Sequence, residues 1–252
     1  MIKKRRKEIE EMPNGAEMKV DMLTSLITAN TTRNIANMKT EDGPITDDVI
    51  SGNLLDAFLA GTDVTANSFC FITYYLCKYP HVKQKMLSEI DSIFPKSSAK
   101  FYISNDELIK LKYCEAIIKE TNRMRTVTTF IMRYTVEECE VAGFKWPAGT
   151  QFHLNFLGAD HNPKFWPNPE VFDPDRFYND QDGQNKHLSL MFGGGHRICP
   201  GRKLAMTELL ILMASVYKNY NVELVNMNEP LKYHAGITTI CQELKVRISP
   251  RV

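Results

Sequence analysis

The residues with the clearest chemical potential lie in the segment FGGGHRICPG, from Phe192 to Gly201, which we call the cysteine loop. Three glycines precede His196 and Arg197, and Cys199 stands directly before a Pro-Gly pair. Such a cysteine could be a buried apolar side chain, half of a disulfide or a metal ligand, and a glycine-rich loop could hold phosphate. These alternatives place different demands on the surrounding residues.

The neighbours of Cys199 favour a thiolate that binds a metal. The loop lacks the Gly-Lys-Ser/Thr ending of a phosphate loop and the GxGxxG spacing of a dinucleotide site, which argues against nucleotide binding. A helix start after the sulfur and the guanidinium of Arg197 both favour the thiolate, and hydrogen bonds to a sulfur ligand tune a bound iron. The other cysteines have no metal-finger spacing, and we expect small buried apolar side chains at Cys70, Cys77, Cys114, Cys139 and Cys241.

The spacing of Phe192, Gly195, Arg197, Cys199 and Gly201 resembles the haem-binding signature of the cytochrome P450 family of haem-thiolate monooxygenases. The resemblance implies haem b as the cofactor and Cys199 as the metal ligand. It also implies that Phe192 shields the sulfur, that Arg197 pairs with a haem propionate, and that the small residues leave room for the porphyrin edge.

A second group of residues supports this resemblance. Glu120 and Arg123 lie three positions apart in KETNR, so their side chains can meet on one helical face, although such a pair could also be an ordinary surface ion pair. In the family, an ExxR helix precedes the cysteine loop, and a meander between them supplies another arginine, here Arg176 in FDPDRF. The resemblance implies that Glu120, Arg123 and Arg176 form a buried charge network that supports folding, and that Arg133 in FIMRYT is a second propionate partner.

A third group lies in AGTDVT, from Ala60 to Thr65. Glycine in a helix interior costs about 1 kcal/mol, so this stretch marks a functional site, a kink or a satisfied polar group. In the family, a glycine opens this helix beside the oxygen-binding face of the haem, and an acid followed by an alcohol relays protons to dioxygen. The resemblance therefore assigns Gly61, Asp63 and Thr65 to the catalytic site.

Val64 departs from the family pattern, because it stands where an alcohol normally follows the acid. Valine has nearly the shape of threonine but forms no hydrogen bond. The hydroxyl of Thr65 or Thr62 could take over, a water could do so, or the enzyme could release peroxide or run a peroxide-using or rearranging reaction. We expect ordinary monooxygenation of a small apolar organic substrate, with electrons from NADPH-cytochrome P450 reductase or another donor.

Substrate-lining positions follow only from their place in the family, with plain core packing as the alternative for each. Their mixture of aliphatic, aromatic and hydroxyl groups suggests an apolar substrate with one polar contact. These positions are Phe58, Leu59, Val127 to Phe130, and Gly236 to Thr238.

The elements that must position these residues are mainly α-helical with a small β component, as in the C-terminal half of the cytochrome P450 fold. Acids at the start predict a helix from Asp47 to just before Pro80, about thirty residues and roughly 45 Å long. Further helices are predicted after Pro80, from the capping box of Ser104 and Glu107 through to the ExxR motif, and after the cysteine loop. Short strands are predicted from Thr135 onward and again at the end of the chain.

The composition is that of an ordinary soluble globular protein, with 43% hydrophobic and 24% charged residues. A net charge of +1 argues against a nucleic-acid partner. Neither a secretory signal nor a membrane span is predicted, although a full-length relative is expected at the cytosolic face of the endoplasmic reticulum membrane. We expect residues 1–252 to form a single partial domain without the N-terminal half and membrane anchor. A non-catalytic, haem-binding fragment is therefore the alternative to an active enzyme.

Overall fold

The structure is a computed structural model that describes residues 1–13, 15–37, 43–95, 103–180, 183 and 188–251. The chain divides into two compact units, Met1–Thr62 and Asp63–Val252, and each has its own apolar core. Among the described residues, no helix is both long enough and apolar enough to cross a lipid bilayer. The expectation that residues 1–252 form one partial domain therefore stays a prediction.

The first unit is built from α1 (Ile2–Glu11), α2 (Met22–Thr28) and the first part of α3 (Asp47–Lys78). Asp21 caps α2 by accepting a hydrogen bond from the backbone N–H of Thr24 at 2.8 Å. This bond, together with the guanidinium of a neighbouring arginine, holds the pKa of Asp21 well below its usual range. Apolar side chains from all three helices form the core of this unit: Ile9, Leu23, Leu26, Ile27 and Ile50.

Helix α3 is a single helix of 32 residues, which confirms the prediction of a long helix ending before Pro80. Its first turn carries Asp47 and Asp48, whose charges interact favourably with the positive end of the helix dipole. Pro80 begins α4 (Pro80–Ile93), where the missing N–H of proline breaks no helical hydrogen bond. The change from α3 to α4 is therefore set locally by one residue.

The capping box at Ser104 and Glu107 is present in both directions, but the helix that it starts is short. Helix α5 (Asn105–Leu108) ends after four residues, and α6 (Lys112–Met124) begins anew, so the prediction of one continuous helix is wrong. The reason lies in α4, where the Glu89 carboxylate accepts the first free N–H groups of α6, at 2.7 and 2.9 Å. This tertiary cap satisfies donors that a continuous helix would have paired with its own carbonyl groups.

Antiparallel pairs of strands provide the small β component that the sequence predicts. Strand pairing begins at Phe130, within the strand-like segment FIMRYT and before the strands predicted from Thr135 onward. The pairs are β1 (Phe130–Tyr134) with β4 (Gln151–Asn155), β2 (Cys139–Val141) with β3 (Phe144–Trp146), β5 (Tyr220–Leu224) with β8 (Val246–Pro250), and β6 (Lys232–Ala235) with β7 (Thr239–Glu243).

Among the described residues, the second unit also contains α7 (Phe156–Asp160), α8 (Asp175–Tyr178), a short 3₁₀ turn (Gly195–Arg197) and α9 (Arg202–Asn219). The core of this unit lies between α4, α6, α9 and the last part of α3. Its fully buried side chains include Ile72, Leu76, Met86, Ile90, Ile117, Met213 and Tyr217.

The cysteines outside the cysteine loop are less uniformly buried than the sequence suggested. Cys77 and Cys114 are buried in the core, whereas Cys70, Cys139 and Cys241 are only half-buried. The prediction of buried side chains is therefore only partly correct for these three residues. All six cysteines are free thiols in the structure.

Candidate functional site

The cysteine loop closes on itself through its backbone. The N–H of Cys199 donates to the carbonyl oxygen of Phe192 at 2.9 Å, and the N–H of Ile198 donates to that of Gly195 at 3.2 Å. Gly193 and Gly195 have φ angles of 70° and 63°, in the left-handed region that residues with a Cβ rarely adopt. The glycines therefore allow the chain to turn tightly and present the sulfur at the start of α9.

The thiol of Cys199 is solvent-exposed, in contrast to those of the other five cysteines. A Cβ atom placed at Gly201 would lie 3.8 Å from the Cys199 Sγ, and one placed at Gly194 would meet no atom within 4 Å. The apolar side chains of Ile198 and Leu204 are exposed nearby in the sequence, at 39% and 61%. A soft sulfur donor in an open glycine cradle with exposed apolar neighbours fits an iron porphyrin.

The two arginines expected to bind haem propionates lie on different elements. Arg197 is exposed in the cysteine loop, and Arg133 is half-buried on β1, where its register partner is Phe152. Arg133 donates from Nη1 to the carbonyl oxygen of Met132 at 2.8 Å. Within the described ranges neither guanidinium forms an ion pair with an acid, so the positive charge of each is available to a ligand carboxylate.

The structure brings Glu120, Arg123 and Arg176 together. Glu120 and Arg123 are 0% and 1% exposed, and two parallel bonds of 2.8 Å join the carboxylate to the guanidinium. The Nε of Arg176 lies 3.5 Å from Glu120 Oε1, which also accepts the backbone N–H of Asp173 at 2.9 Å. This charge network therefore joins α6 to α8 and to the segment before it.

Arg123 also binds the meander that precedes α8. Its Nη1 donates to the carbonyl oxygens of Asp160 and Pro169 at 3.0 and 2.8 Å, and its Nη2 donates to that of Val171 at 3.2 Å. A guanidinium that is deeply buried must use its donors in this way, because each unpaired donor would lose its hydration without compensation. Arg123 thus shapes a loop that has little regular secondary structure.

Asp160 is a buried acid that the sequence did not single out. Burial raises its pKa to about 7, against the opposing effects of a 2.8 Å hydrogen bond from the Thr126 hydroxyl and of the positive charge on Arg123. Burial likewise raises the pKa of Glu120, although its bonds to Arg123 lower it. No sequence signal distinguishes Asp160, because an acid at the end of a short helix is usually exposed.

The three predicted catalytic positions lie on an uninterrupted part of α3. A Cβ atom placed at Gly61 would meet no atom within 4 Å, so the glycine is not required by a close contact among the described residues. Asp63 is exposed, whereas Thr65 is buried at 8% exposure. Residues two positions apart on a helix point in nearly opposite directions, so the Asp63 carboxylate and the Thr65 hydroxyl do not face each other.

Several polar side chains of α3 bind the helix's own carbonyl groups. Thr62 Oγ1 donates to the Phe58 oxygen at 2.7 Å, and Ser68 Oγ donates to the Val64 oxygen at 2.8 Å. Asn67 Nδ2 donates to the Asp63 oxygen at 2.7 Å. The Thr62 hydroxyl is therefore engaged with the helix backbone rather than with the carboxylate of Asp63.

Two of the predicted substrate-lining segments, 127–130 and 236–238, are hydrogen-bonded to each other. The N–H and hydroxyl of Thr129 donate to the oxygens of Ile237 and Gly236 at 3.0 and 2.6 Å, and Thr128 pairs with Thr238. Ile237 is 60% exposed at the tip of the β6–β7 hairpin. In the first unit, Phe58 and Leu59 are exposed on α3.

Comparisons with known proteins agree with this geometry. The cytochrome P450 family profile matches residues 1–248. Cytochrome P450 3A28 from Bos taurus is 29% identical over 92% of this chain and 45% of its own length. Cytochrome P450 3A19 from Capra hircus aegagrus is 32% identical over 76% of this chain and 88% of its own sequence.

Among solved structures, that of the cytochrome P450 CYP102L1 superposes with a TM-score of 0.84 at 22% identity, over the whole of this chain and 54% of the other. The chain spans about half the length of the bovine relative and of this structure. With the shared fold and the family match over nearly all residues, the chain belongs to the cytochrome P450 family.

Proposed function

We propose that this protein acts as a haem-thiolate monooxygenase, which inserts one oxygen atom of O₂ into a small apolar organic substrate with electrons from a reductase. The observation that carries the proposal is the exposed Cys199 side chain, held in a loop that turns tightly at Gly193 and Gly195 and has Gly201 next to the sulfur. The family implies a haem cofactor, and we take it to be haem b.

The residues of the second unit would hold the haem as follows. Cys199 would ligate the iron through its thiolate, and Arg197 and Arg133 would bind the propionates, since neither pairs with an acid in the described part of the chain. Gly201 places no side chain next to the sulfur, and Gly195 would permit the left-handed turn that precedes it. When bound, haem supplies the activation of dioxygen and the associated electron transfer.

The residues of α3 would move protons toward the oxygen side of the site. The Asp63 side chain is exposed to solvent, and Gly61 carries no side chain. Thr65 points away from Asp63, the Thr62 hydroxyl is bound to a backbone oxygen, and Val64 has no hydroxyl. We therefore infer that a water molecule carries the proton onward from Asp63.

The lack of a hydroxyl group at Val64 also favours a second candidate, a peroxide-using or rearranging enzyme that needs no proton relay. The substitution Val64→Thr separates the two candidates, and the wild type is itself the matched control because valine has nearly the shape of threonine without the hydroxyl. For a monooxygenase, Val64→Thr should increase the product formed per electron pair consumed. A peroxide-supported rate that exceeds the reductase-supported rate and is unchanged by Val64→Thr would favour the second candidate.

A carbon monoxide difference spectrum of the reduced, haem-loaded protein tests the ligand assignment. The wild type and a Cys139→Ser control should give the red-shifted band of a haem thiolate, and Cys199→Ser should lose it. A band that persists in Cys199→Ser would exclude Cys199 as the ligand. A normal band without turnover of any apolar substrate would indicate a non-catalytic, haem-binding protein.

A further inference from the structure

We propose that Cys70 and Cys241 are a redox-reactive pair, which a peroxide converts into a disulfide joining α3 to β7. The proposal concerns two residues outside the haem site and does not depend on the proposed function. Both side chains are free and half-buried, so a small oxidant can reach them.

The backbone of β7 is held against the face of α3 that carries Cys70. The Oδ1 of Asn67 accepts a hydrogen bond from the backbone N–H of Cys241 at 2.6 Å. Asn67 and Cys70 are three positions apart, and such residues are neighbours on one face of a helix. The Asn67 side chain therefore fixes Cys241 next to Cys70.

The two thiols interact with each other in this arrangement. Burial raises the pKa of Cys70, and contact with the Cys241 thiol opposes that rise. Burial raises the pKa of Cys241 to about 11, and the Cys70 thiol adds to that effect. Burial raises both pKa values, but the contact opposes the rise only at Cys70, so Cys70 ionises more readily than Cys241 and is the attacking sulfur of the pair.

Hydrogen peroxide supplies the oxidising equivalents. The Cys70 thiolate attacks one peroxide oxygen, the O–O bond breaks, and the leaving hydroxide takes up a proton to form water and a Cys70 sulfenic acid. The Cys241 sulfur then attacks the Cys70 sulfur, the S–O bond breaks, and a second water leaves. Two thiols lose two electrons in total, and one peroxide gains them.

A bond at this place would connect three segments. Cys241 lies two residues after Thr239, whose N–H donates to the Val127 oxygen at 2.7 Å and whose hydroxyl donates to the Thr126 oxygen at 2.7 Å. The start of β7 is thus already attached to the segment after α6, and the disulfide would add α3. Oxidation would restrain the β6–β7 hairpin relative to both.

The test treats the dilute native protein with hydrogen peroxide and maps its peptides by mass spectrometry without reduction. A linked peptide that contains Cys70 and Cys241, and that disappears after addition of a thiol reductant, is the expected result. Links to other cysteines, or sulfinic acids at these two positions without a link, would overturn the proposal.

The thermal unfolding midpoint provides a second measurement. Because the bond closes a loop of more than half the chain, oxidation should raise the midpoint by roughly 10 °C. Cys241→Ser should show no rise, while Cys139→Ser, which removes another half-buried cysteine, should behave like the wild type. If Cys241→Ser fails to fold, the peptide map of the wild type still decides whether the bond forms, and an unchanged midpoint in the oxidised wild type would refute the restraint.

Discussion

The polar groups of the charge network are bonded within the protein, whereas those of the cysteine loop are left open. In the network, Arg123 is almost completely buried, and its donors go to Glu120 and to three backbone carbonyl groups. In the loop, the Cys199 thiol is exposed, and Arg197 forms no ion pair within the described ranges. A region whose bonding capacity is used internally serves folding, and a region whose capacity is left open is suited to a ligand.

The largest effect that would test this comparison is expected from Arg123→Met. The variant removes the bidentate partner of the buried Glu120 carboxylate and leaves it only Arg176 and the Asp173 N–H, which should lower the free energy of unfolding by about 3–5 kcal/mol. Arg197→Met removes the same charge from an exposed position, and should change it by less than about 0.5 kcal/mol in protein without haem. Urea denaturation measures both values, and equal losses would contradict the contrast between the two regions.

A pH-dependent effect is expected from Asp160. Its folded pKa of about 7 lies above its ordinary value of 3.8, so the native protein holds the proton more tightly than the unfolded chain. Proton binding by Asp160 therefore stabilises the native protein. This stabilisation is complete below about pH 4 and is lost as the pH rises toward 7. In Asp160→Asn it is absent, so the stability of the variant relative to the wild type should rise by up to about 1.4 kcal/mol per pH unit in that window.

Unfolding curves recorded between about pH 4.5 and 7 measure this difference. The side-chain amide that Asp160→Asn introduces can still accept the hydrogen bond from the Thr126 hydroxyl, which keeps the comparison close to a removal of titration alone. A difference in stability that does not change with pH would show that Asp160 does not titrate in this window.

A smaller loss of stability than that of Arg123→Met is expected from Gly195→Ala in the cysteine loop. Gly195→Ala places a Cβ on a residue with a φ of 63°, which should cost about 1 kcal/mol in unfolding free energy. Gly194→Ala is the matched control, since its φ of −156° suits any residue and a Cβ would meet no atom within 4 Å. If both variants were equally stable, the left-handed turn at Gly195 would not be needed to shape the loop.

Features with local causes could be predicted from the sequence. The long helix α3 follows from the acids at Asp47 and Asp48 and from Pro80, and the resemblance to the family singled out Glu120 and Arg123 by their spacing. Each of these depends on residues a few positions apart, which is the range over which helical patterns are informative.

Features with distant causes could not be predicted in this way. The break before α6 depends on Glu89, which precedes the first amide that it caps by 24 residues. The burial of Asp160 depends on the packing of α7 against α6, and the contact between Cys70 and Cys241 joins residues from opposite ends of the second unit. The charge, spacing and periodicity of residues in the sequence do not indicate such long-range contacts.

The carbonyl groups bound by Arg123 have a consequence for synthesis of the chain. They lie 37, 46 and 48 residues further along the sequence. On the ribosome, helix α6 emerges while its guanidinium has none of these acceptors, and the last of them becomes available only after Val171 has left the exit tunnel. The core around Arg123 therefore cannot be completed before Val171 is available, and a ribosome that pauses between Arg123 and Val171 would hold a chain whose buried arginine cannot yet be accommodated.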